Sequence, residues 1–299
     1  MSENPTRPQV QSVAQSLASS GRELSSRFPV WLCDIWGVVH NGERAHPVAC
    51  DALEKHRENG GSVILITNAP RPSHAIVGQL DGLKVSRNCY DAIVSSGDVT
   101  RELVTAHAGG KVFFLGPERD APLRQGLPVE WSPMNEADAV LCTGLYDDHN
   151  EQPEQYDDML KEMLGKNLIM ICANPDIVVQ FGDRLIPCAG ALARNYAQMG
   201  GKVEMAGKPY APIYEVAIDR ANDVVNGNSI ERSQVLALGD GMKTDITGAR
   251  DNDLAVTFIT GGIHDEEIGT DGSTQDMANI ARDAVAGVNV AGAMRKLEW

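Results

Sequence analysis

The stretch Val30 to Gly42, VWLCDIWGVVHNG, decides the fold. Its apolar opening, Val30 to Cys33, has the length and composition of a buried strand; it delivers Asp34 at the strand's end, and Gly37 lets the chain turn directly afterwards. In open α/β sheets, ligands bind outside the carboxyl ends of the strands, so an acid placed there has a chemical use. A lone Asp after a strand more often caps a turn. The rest of the chain decides between the two.

Downstream, Pro47 opens a helix through Ala52, Leu53 and His56, and Gly60 and Gly61 end it. Ser62 to Ile66, SVILI, is a second apolar strand running into Thr67, Asn68, Ala69 and Pro70. Strand, helix and strand at this spacing imply a right-handed crossover and parallel pairing, which brings Thr67 beside Asp34. A helix over Pro72 to Leu80 and a strand over Asp91 to Ser95 continue the series. From about Ala106 the rhythm changes. Lys111 to Leu115, Ala137 to Cys142 and Leu168 to Cys172 read as strands, Gln152 to Leu164 as a helix, and Ile177 to Ile186 as a hairpin turning at Gly182-Asp183. The first series resumes at Lys202 to Met205, Gln234 to Leu238 and Ala255 to Ile259, and after Ser273 the spacing of Ala278, Ile280, Ala281, Val285 and Val288 predicts a helix packed on the core. The expected organisation is a flexible arm (1–23), a parallel α/β core (24–105 and 201–299) and an inserted α/β domain (106–200).

A second informative stretch is Val235 to Ala249, VLALGDGMKTDITGA, where a buried strand ends at Gly239 and Asp240 and Asp245 follow five residues apart. Clustered carboxylates repel one another unless a cation or proton intervenes, and hard oxygen ligands suit Mg²⁺; a loop that merely caps the next helix with Thr244 or Asp245 is equally compatible with this stretch alone. Gly239, Gly241 and Thr244 approximate a dinucleotide fingerprint, but the third glycine is missing and Asp240 would oppose a pyrophosphate. Gly207-Lys208 lacks the following Ser or Thr of a P-loop, Pro209 standing there instead. Lys208 is better read as a strand-end lysine facing the acids, suited to neutralising a phosphoryl group.

The bulk properties set limits. With 299 residues, two domains are the default expectation, and 42% hydrophobic with 22% charged residues is ordinary for a globular protein. A net charge of −15 argues against non-specific attraction to nucleic acid or anionic membranes. The six cysteines show no CxxC spacing, and neither a signal peptide nor a run of membrane-spanning length is evident, so a cytoplasmic location is expected.

Taken in order, Asp34, Thr67, Lys208 and the pair Asp240 and Asp245 resemble the four motifs of the haloacid dehalogenase superfamily. The insertion between the second and third motifs, with TNAP at Thr67 to Pro70, ANPD at Ala173 to Asp176 and GKP at Gly207 to Pro209, is similar to the subfamily of NagD-like nucleotidases, para-nitrophenyl phosphatases and pyridoxal phosphate phosphatases. The resemblance covers about Phe28 to Ile268. It implies a Rossmann-like parallel-sheet core with an inserted α/β cap of the C2 type, and Mg²⁺-dependent hydrolysis of a small phosphorylated metabolite. It implies Asp34 as nucleophile, Thr67 as holder of the phosphoryl oxygens and Lys208 as charge neutraliser. Asp34, the main-chain carbonyl of Trp36, Asp240 and Asp245 are implied to hold the metal. Family members commonly dimerise through the cap, so a homodimer is a further expectation.

Trp36 departs from the pattern. Family phosphatases read DxDGT or DxDGV, and the second Asp works as acid and base; here the motif is DIWGV, and indole transfers no proton. Slow turnover, or a preference for good leaving groups, is expected, with His40 or His46 as conceivable substitutes. Dehalogenases of the superfamily also carry an aromatic here, so carbon–halogen hydrolysis is an alternative reading, and a silent phospho-ligand-binding protein is another. Substrate contacts are expected from Asn68 and from the inserted domain, at Tyr146 in Thr143 to Asn150 and at Asn174 and Asp176, whose acids disfavour a second anionic group on the substrate.

Overall fold

A computed structural model describes residues 16–181, 184–225, 229–261 and 273–299. A short helix α1 (Gly21–Arg27), capped by the Ser20 side chain, leads into strand β1 (Val30–Asp34). Helix α2 (Pro47–Glu58), strand β2 (Ser62–Thr67), helix α3 (Ser73–Gly82), strand β3 (Ala92–Ser95) and helix α4 (Ser96–Thr105) follow. The second unit comprises β4 (Lys111–Leu115), β5 (Glu130–Trp131), β6 (Ala139–Cys142), α5 (Asp157–Gly165), β7 (Ile169–Cys172), the hairpin strands β8 (Val178–Phe181) and β9 (Arg184–Pro187), α6 (Ala189–Gln198) and β10 (Lys202–Met205). Helix α7 (Ala211–Val224), β11 (Val235–Gly239), α8 (Thr247–Asp251), β12 (Ala255–Ile259), α9 (Thr274–Ala284) and β13 (Asn289–Met294) complete the chain.

The main sheet has the order β13-β12-β11-β1-β2-β3, parallel throughout. Both of its faces are covered, which explains why β1 and β2 read as unbroken apolar runs rather than alternating ones. Trp31, Cys33, Val63 and Leu65 join one apolar cluster with Leu24 and Leu53, whereas Val30, Leu32, Ile64 and Ile66 join the other with Ile213, Ala217 and Met277. β1 lies centrally, with β2 on one side and β11 on the other. The chain therefore leaves β1 in one direction and returns on its opposite flank, which is the switch point where α/β sheets bind ligands.

The second sheet, β10-β7-β6-β4-β5, is also parallel, and β8 and β9 pair antiparallel beside it. The expected hairpin is present, and its turn at Gly182-Asp183 lies outside the described residues. Three corrections to the sequence reading arise here. Lys202–Met205 does not resume the first sheet; it pairs with Ile169–Cys172 as the edge of the second, and its half-exposed alternation is that of an edge strand. Val285 and Val288 lie beyond α9, and Asn289–Met294 forms a sixth strand of the main sheet that its small residues, Ala291, Gly292 and Ala293, disguise. The end of the expected arm is ordered: Ala18 N–H donates to Ala291 O at 2.9 Å, and Ala18 and Gly21 are buried. Residues 1–15 of that arm lie outside the described residues. No described helix is long and apolar enough to cross a membrane, and all six cysteines are free.

Candidate active site

β1, β2 and β11 end side by side, and the loops leaving them converge on one cavity of about 600 Å³ between the two sheets. Asp34, Thr67, Asn68, Asn174, Asp176, Lys208 and Asp240 all line it. Lys208 Nζ, with its side chain 3% exposed, stands 2.7 Å from Asp34 Oδ1 and 2.7 Å from Asp245 Oδ1. Asp34 Oδ1 also accepts the Ile35 N–H at 2.8 Å. Asp245 sits in a single wide turn of π-helix (Met242–Ile246), where its Oδ2 accepts the Gly241 N–H at 3.0 Å. Gly37 makes the junction possible. Its φ is +89°, and a Cβ there would lie 2.1 Å from Asp240 Oδ2, so only glycine lets the Asp240 carboxylate close in on the β1 loop.

Asp34, Asp240 and Asp245 can each present a carboxylate oxygen so that the three lie within 4.8 Å of one another, all in buried residues. One lysine cannot neutralise three acids. Burial and the neighbouring Asp245 push the Asp34 carboxyl well above its usual range, against the pull of Lys208. Burial opposes the Lys208 charge, but Asp245 and Asp34 override it and hold the ammonium well above its ordinary value. Hard oxygen donors in a buried cluster with residual negative charge fit a divalent cation such as Mg²⁺.

Asn68 lines the cavity and also has a structural part. Its Oδ1 accepts the Lys208 N–H at 2.7 Å, and its Nδ2 donates to Lys208 O at 3.1 Å and to Asp176 Oδ1 at 3.0 Å, so the amide brackets the Lys208 backbone and ties it to the second unit. Burial raises the Asp176 pKa, and the Asn68 hydrogen bond works against the rise. The Thr67 hydroxyl accepts the Ala69 N–H at 3.2 Å, which leaves its own proton to donate. Tyr146 is not in the cavity wall: it is 44% exposed and its ring leans on Tyr156, whose hydroxyl accepts the Tyr146 N–H at 2.7 Å. Of the two histidines, His40 lines the cavity and His46 lies on a separate shallow hollow. His40 Nδ1 accepts the Gly42 N–H at 2.9 Å, and burial lowers its pKa to about 4, so the ring is neutral near pH 7.

The Trp36 indole is half-buried at the cavity wall, edge-on to His40 at 5.1 Å between ring centroids and 6.4 Å from Phe181 of the hairpin. Gly42, at φ +91°, lies against the indole, and a Cβ there would come within 2.7 Å of Trp36 Cη2. A Gly42→Ala variant is expected to lose about 1–3 kcal/mol of stability, from backbone strain and displacement of the ring together. Urea unfolding followed by circular dichroism would measure it, and an unchanged midpoint would contradict this packing. Asp148, in the expected Thr143 to Asn150 loop, lines the cavity, while sequence reasoning missed Phe181, Arg71, Arg119 and Asp120, because nothing local in the chain announces residues that meet only across the cavity.

Known proteins resemble this chain in sequence and fold. A model of haloacid dehalogenase-like hydrolases matches residues 31–126, and a HAD-hydrolase-like model matches residues 205–286. The crystal structure of a haloacid dehalogenase-like family hydrolase from Brucella suis superposes with a TM-score of 0.80 at 46% identity, covering 83% of this chain and 95% of that one. The 4-nitrophenylphosphatase of Schizosaccharomyces pombe is 24% identical over 280 residues, 83% of this chain and 89% of the relative. A Mycobacterium tuberculosis glycerol phosphate phosphatase crystallised with magnesium shares the fold at a TM-score of 0.61 and 21% identity, over 80% of this chain and 70% of that one. With the motif residues gathered on one cavity and the Brucella suis hydrolase 46% identical over 83% of this chain, the chain belongs to the haloacid dehalogenase-like hydrolases.

Proposed function

We propose that this hydrolase is a Mg²⁺-dependent phosphatase that passes the phosphoryl group of a small phosphate monoester through Asp34 to water. The observation that carries the reading is the Asp34 carboxylate at the tip of β1, 2.7 Å from the buried Lys208 ammonium and grouped with Asp240 and Asp245. Asp34 attacks phosphorus, the ester P–O bond breaks, and water then cleaves the aspartyl phosphate. Lys208 offsets charge on the attacking oxygen and the phosphoryl group, and the Thr67 hydroxyl donates to a phosphoryl oxygen. Asp34, Asp240 and Asp245, with the Trp36 carbonyl, hold the metal, which supplies Lewis-acid polarisation of the phosphoryl group. The names of the yeast and mycobacterial relatives support phosphate ester substrates, and the latter's magnesium supports the metal. The second unit, extended to Met205, serves as a cap over the leaving group, with Asn174 and Asp176 at its inner edge.

Steady-state hydrolysis of 4-nitrophenyl phosphate with and without Mg²⁺ tests the reading. Turnover is expected with Mg²⁺ and not after chelation. In the same titration Mg²⁺ at a hundredfold excess over its Kd is expected to stabilise the fold by about 2.7 kcal/mol. Halide release from a haloacid without phosphate release would instead favour the carbon–halogen alternative. That alternative leaves the second and third acids of the cluster without an electrostatic purpose, since displacement of halide from carbon develops no phosphoryl charge for a metal to offset.

A further inference from the structure

Trp36 occupies a position from which a proton could have been passed, and the structure gives it another task. Its indole belongs to a row of rings across the cavity: His40 at 5.1 Å, Phe181 at 6.4 Å, and beyond Phe181 the His149 ring, edge-on at 5.8 Å. All four rings line the cavity, so the row runs from the catalytic loop of the core to the hairpin of the second unit. The hairpin adds Val178 and Leu185 to the same wall, and these two with Phe181 are 43–68% exposed. Such side chains are normally covered.

Charge narrows what can cover them. The cations of the cavity are each already faced by an acid: Lys208 by Asp34 and Asp245, Arg119 by Asp148 Oδ1 at 2.9 Å, and Arg71 by Asp120 at 3.6 Å. A second anionic group on the substrate would have to compete with Asp120 and Asp148 for their arginines, and would meet in Asp176 a carboxylate whose hydrogen-bond partner is the Asn68 amide rather than a cation. An indole at residue 36 imposes a third condition: the leaving oxygen departs without a proton from this side chain. His40 has its Nδ1 engaged by the Gly42 N–H, which keeps that nitrogen unprotonated and out of any proton transfer to the leaving oxygen.

Resting on the phosphatase reading, we propose that the substrate is a monoester of an uncharged, flat leaving group with a low pKa, of the aryl or enol phosphate type, whose ring or plane lies on the Trp36–Phe181 wall. In the step, an Asp34 oxygen forms the new bond to phosphorus with its own electron pair. The ester P–O bond breaks, its pair leaves on the organic oxygen, and the resulting phenolate or enolate is protonated by solvent. Delocalisation of that anion takes the place of the missing proton donor.

The test uses two series of ligands on the full chain with Mg²⁺: substituted phenyl phosphates from nitrophenyl to methoxyphenyl together with ethyl phosphate, and the non-hydrolysable pair phenylphosphonate and methylphosphonate in calorimetry. In the wild type, kcat/KM is expected to fall steeply as the leaving group becomes more basic. Trp36→Asp should raise kcat for the most basic leaving groups by about 10²-fold relative to kcat for nitrophenyl phosphate, the lower end of what a placed acid supplies, and should raise KM for every aryl ester because the wall loses its indole. Phenylphosphonate should bind about 3- to 10-fold more tightly than methylphosphonate, as one aromatic contact provides, and Phe181→Ala should erase the difference. A flat dependence on leaving-group basicity, or equal binding of the two phosphonates, would overturn the proposal. No turnover of any ester, with the phenyl preference intact and lost in Phe181→Ala, would overturn the phosphatase reading instead and leave the aromatic wall as a binding feature.

Discussion

Replacing Asp34 with Asn is expected to abolish turnover, by about 10⁴-fold or more, while leaving the metal-free protein at least as stable as the wild type. The two halves have separate causes. An amide oxygen is a poor nucleophile and cannot form the aspartyl phosphate, which accounts for the first. The second follows from crowding: burial and Asp245 raise the Asp34 pKa in the native state. For an acid whose native pKa lies above its unfolded one, the unfolded chain gives up its proton first as pH rises. Stability is therefore lost between the ordinary carboxylate pKa and the raised native one, and the loss is complete at higher pH. Asn carries no such proton, so the part of this fall that belongs to Asp34 should vanish from the metal-free stability profile between acid and neutral pH. Thermal unfolding of both proteins in chelator across that range, beside their turnover in Mg²⁺, measures both halves. Retained turnover in Asp34→Asn would remove Asp34 from the chemistry; a variant markedly less stable than the wild type would mean that Asp34 supports the fold rather than crowding it.

The site was legible in the sequence where one residue's chemistry and its strand-end position coincide. Asp34, Thr67 and Asp240 each follow an apolar strand, Asp245 stands in the turn that opens the next helix, and parallel pairing brings those strand ends together, whereas Lys208 follows the edge strand of the second sheet and reaches them from there. What stayed hidden depends on partners distant in the chain. Asn68 reads from the sequence as a substrate contact, and nothing local shows that its amide also binds Lys208 and Asp176, 140 and 108 residues away. Phe181 looks like one more apolar strand residue until Trp36 and His149 flank it. Lys202–Met205 could join either sheet by its alternation, and only the register with Ile169–Cys172 assigns it. The last strand escaped because NVAGAM has the small side chains of a loop, and a packed sheet edge tolerates them.

Lys208→Met is expected to have the second largest effect, and on stability as well as rate. The methionine keeps much of the aliphatic volume, so packing against the bracket of Asn68 is preserved and the change is chiefly electrostatic. Lys208 is buried between Asp34 and Asp245, and its native pKa is raised by them. A lysine raised in this way contributes stability that is fully present below its unfolded pKa and lost only as pH climbs through the native one, so at neutral pH the whole contribution is at stake. Its removal leaves two buried carboxylates without their cation, a change of about 3–5 kcal/mol in other buried pairs. Turnover should fall by about 10²- to 10³-fold, the usual consequence of deleting one charge-stabilising donor from a closed site. Mg²⁺ distinguishes the two losses. A divalent cation bound by Asp34, Asp240 and Asp245 replaces part of the missing positive charge, so saturating metal should restore much of the melting temperature. It cannot restore the rate, because the ammonium that stood beside the attacking oxygen is still gone. A variant that melts with the wild type in chelator would show that the three acids do not depend on Lys208. One that recovers turnover as well as stability on adding Mg²⁺ would show that the lysine only holds the acids together and takes no part in the transfer.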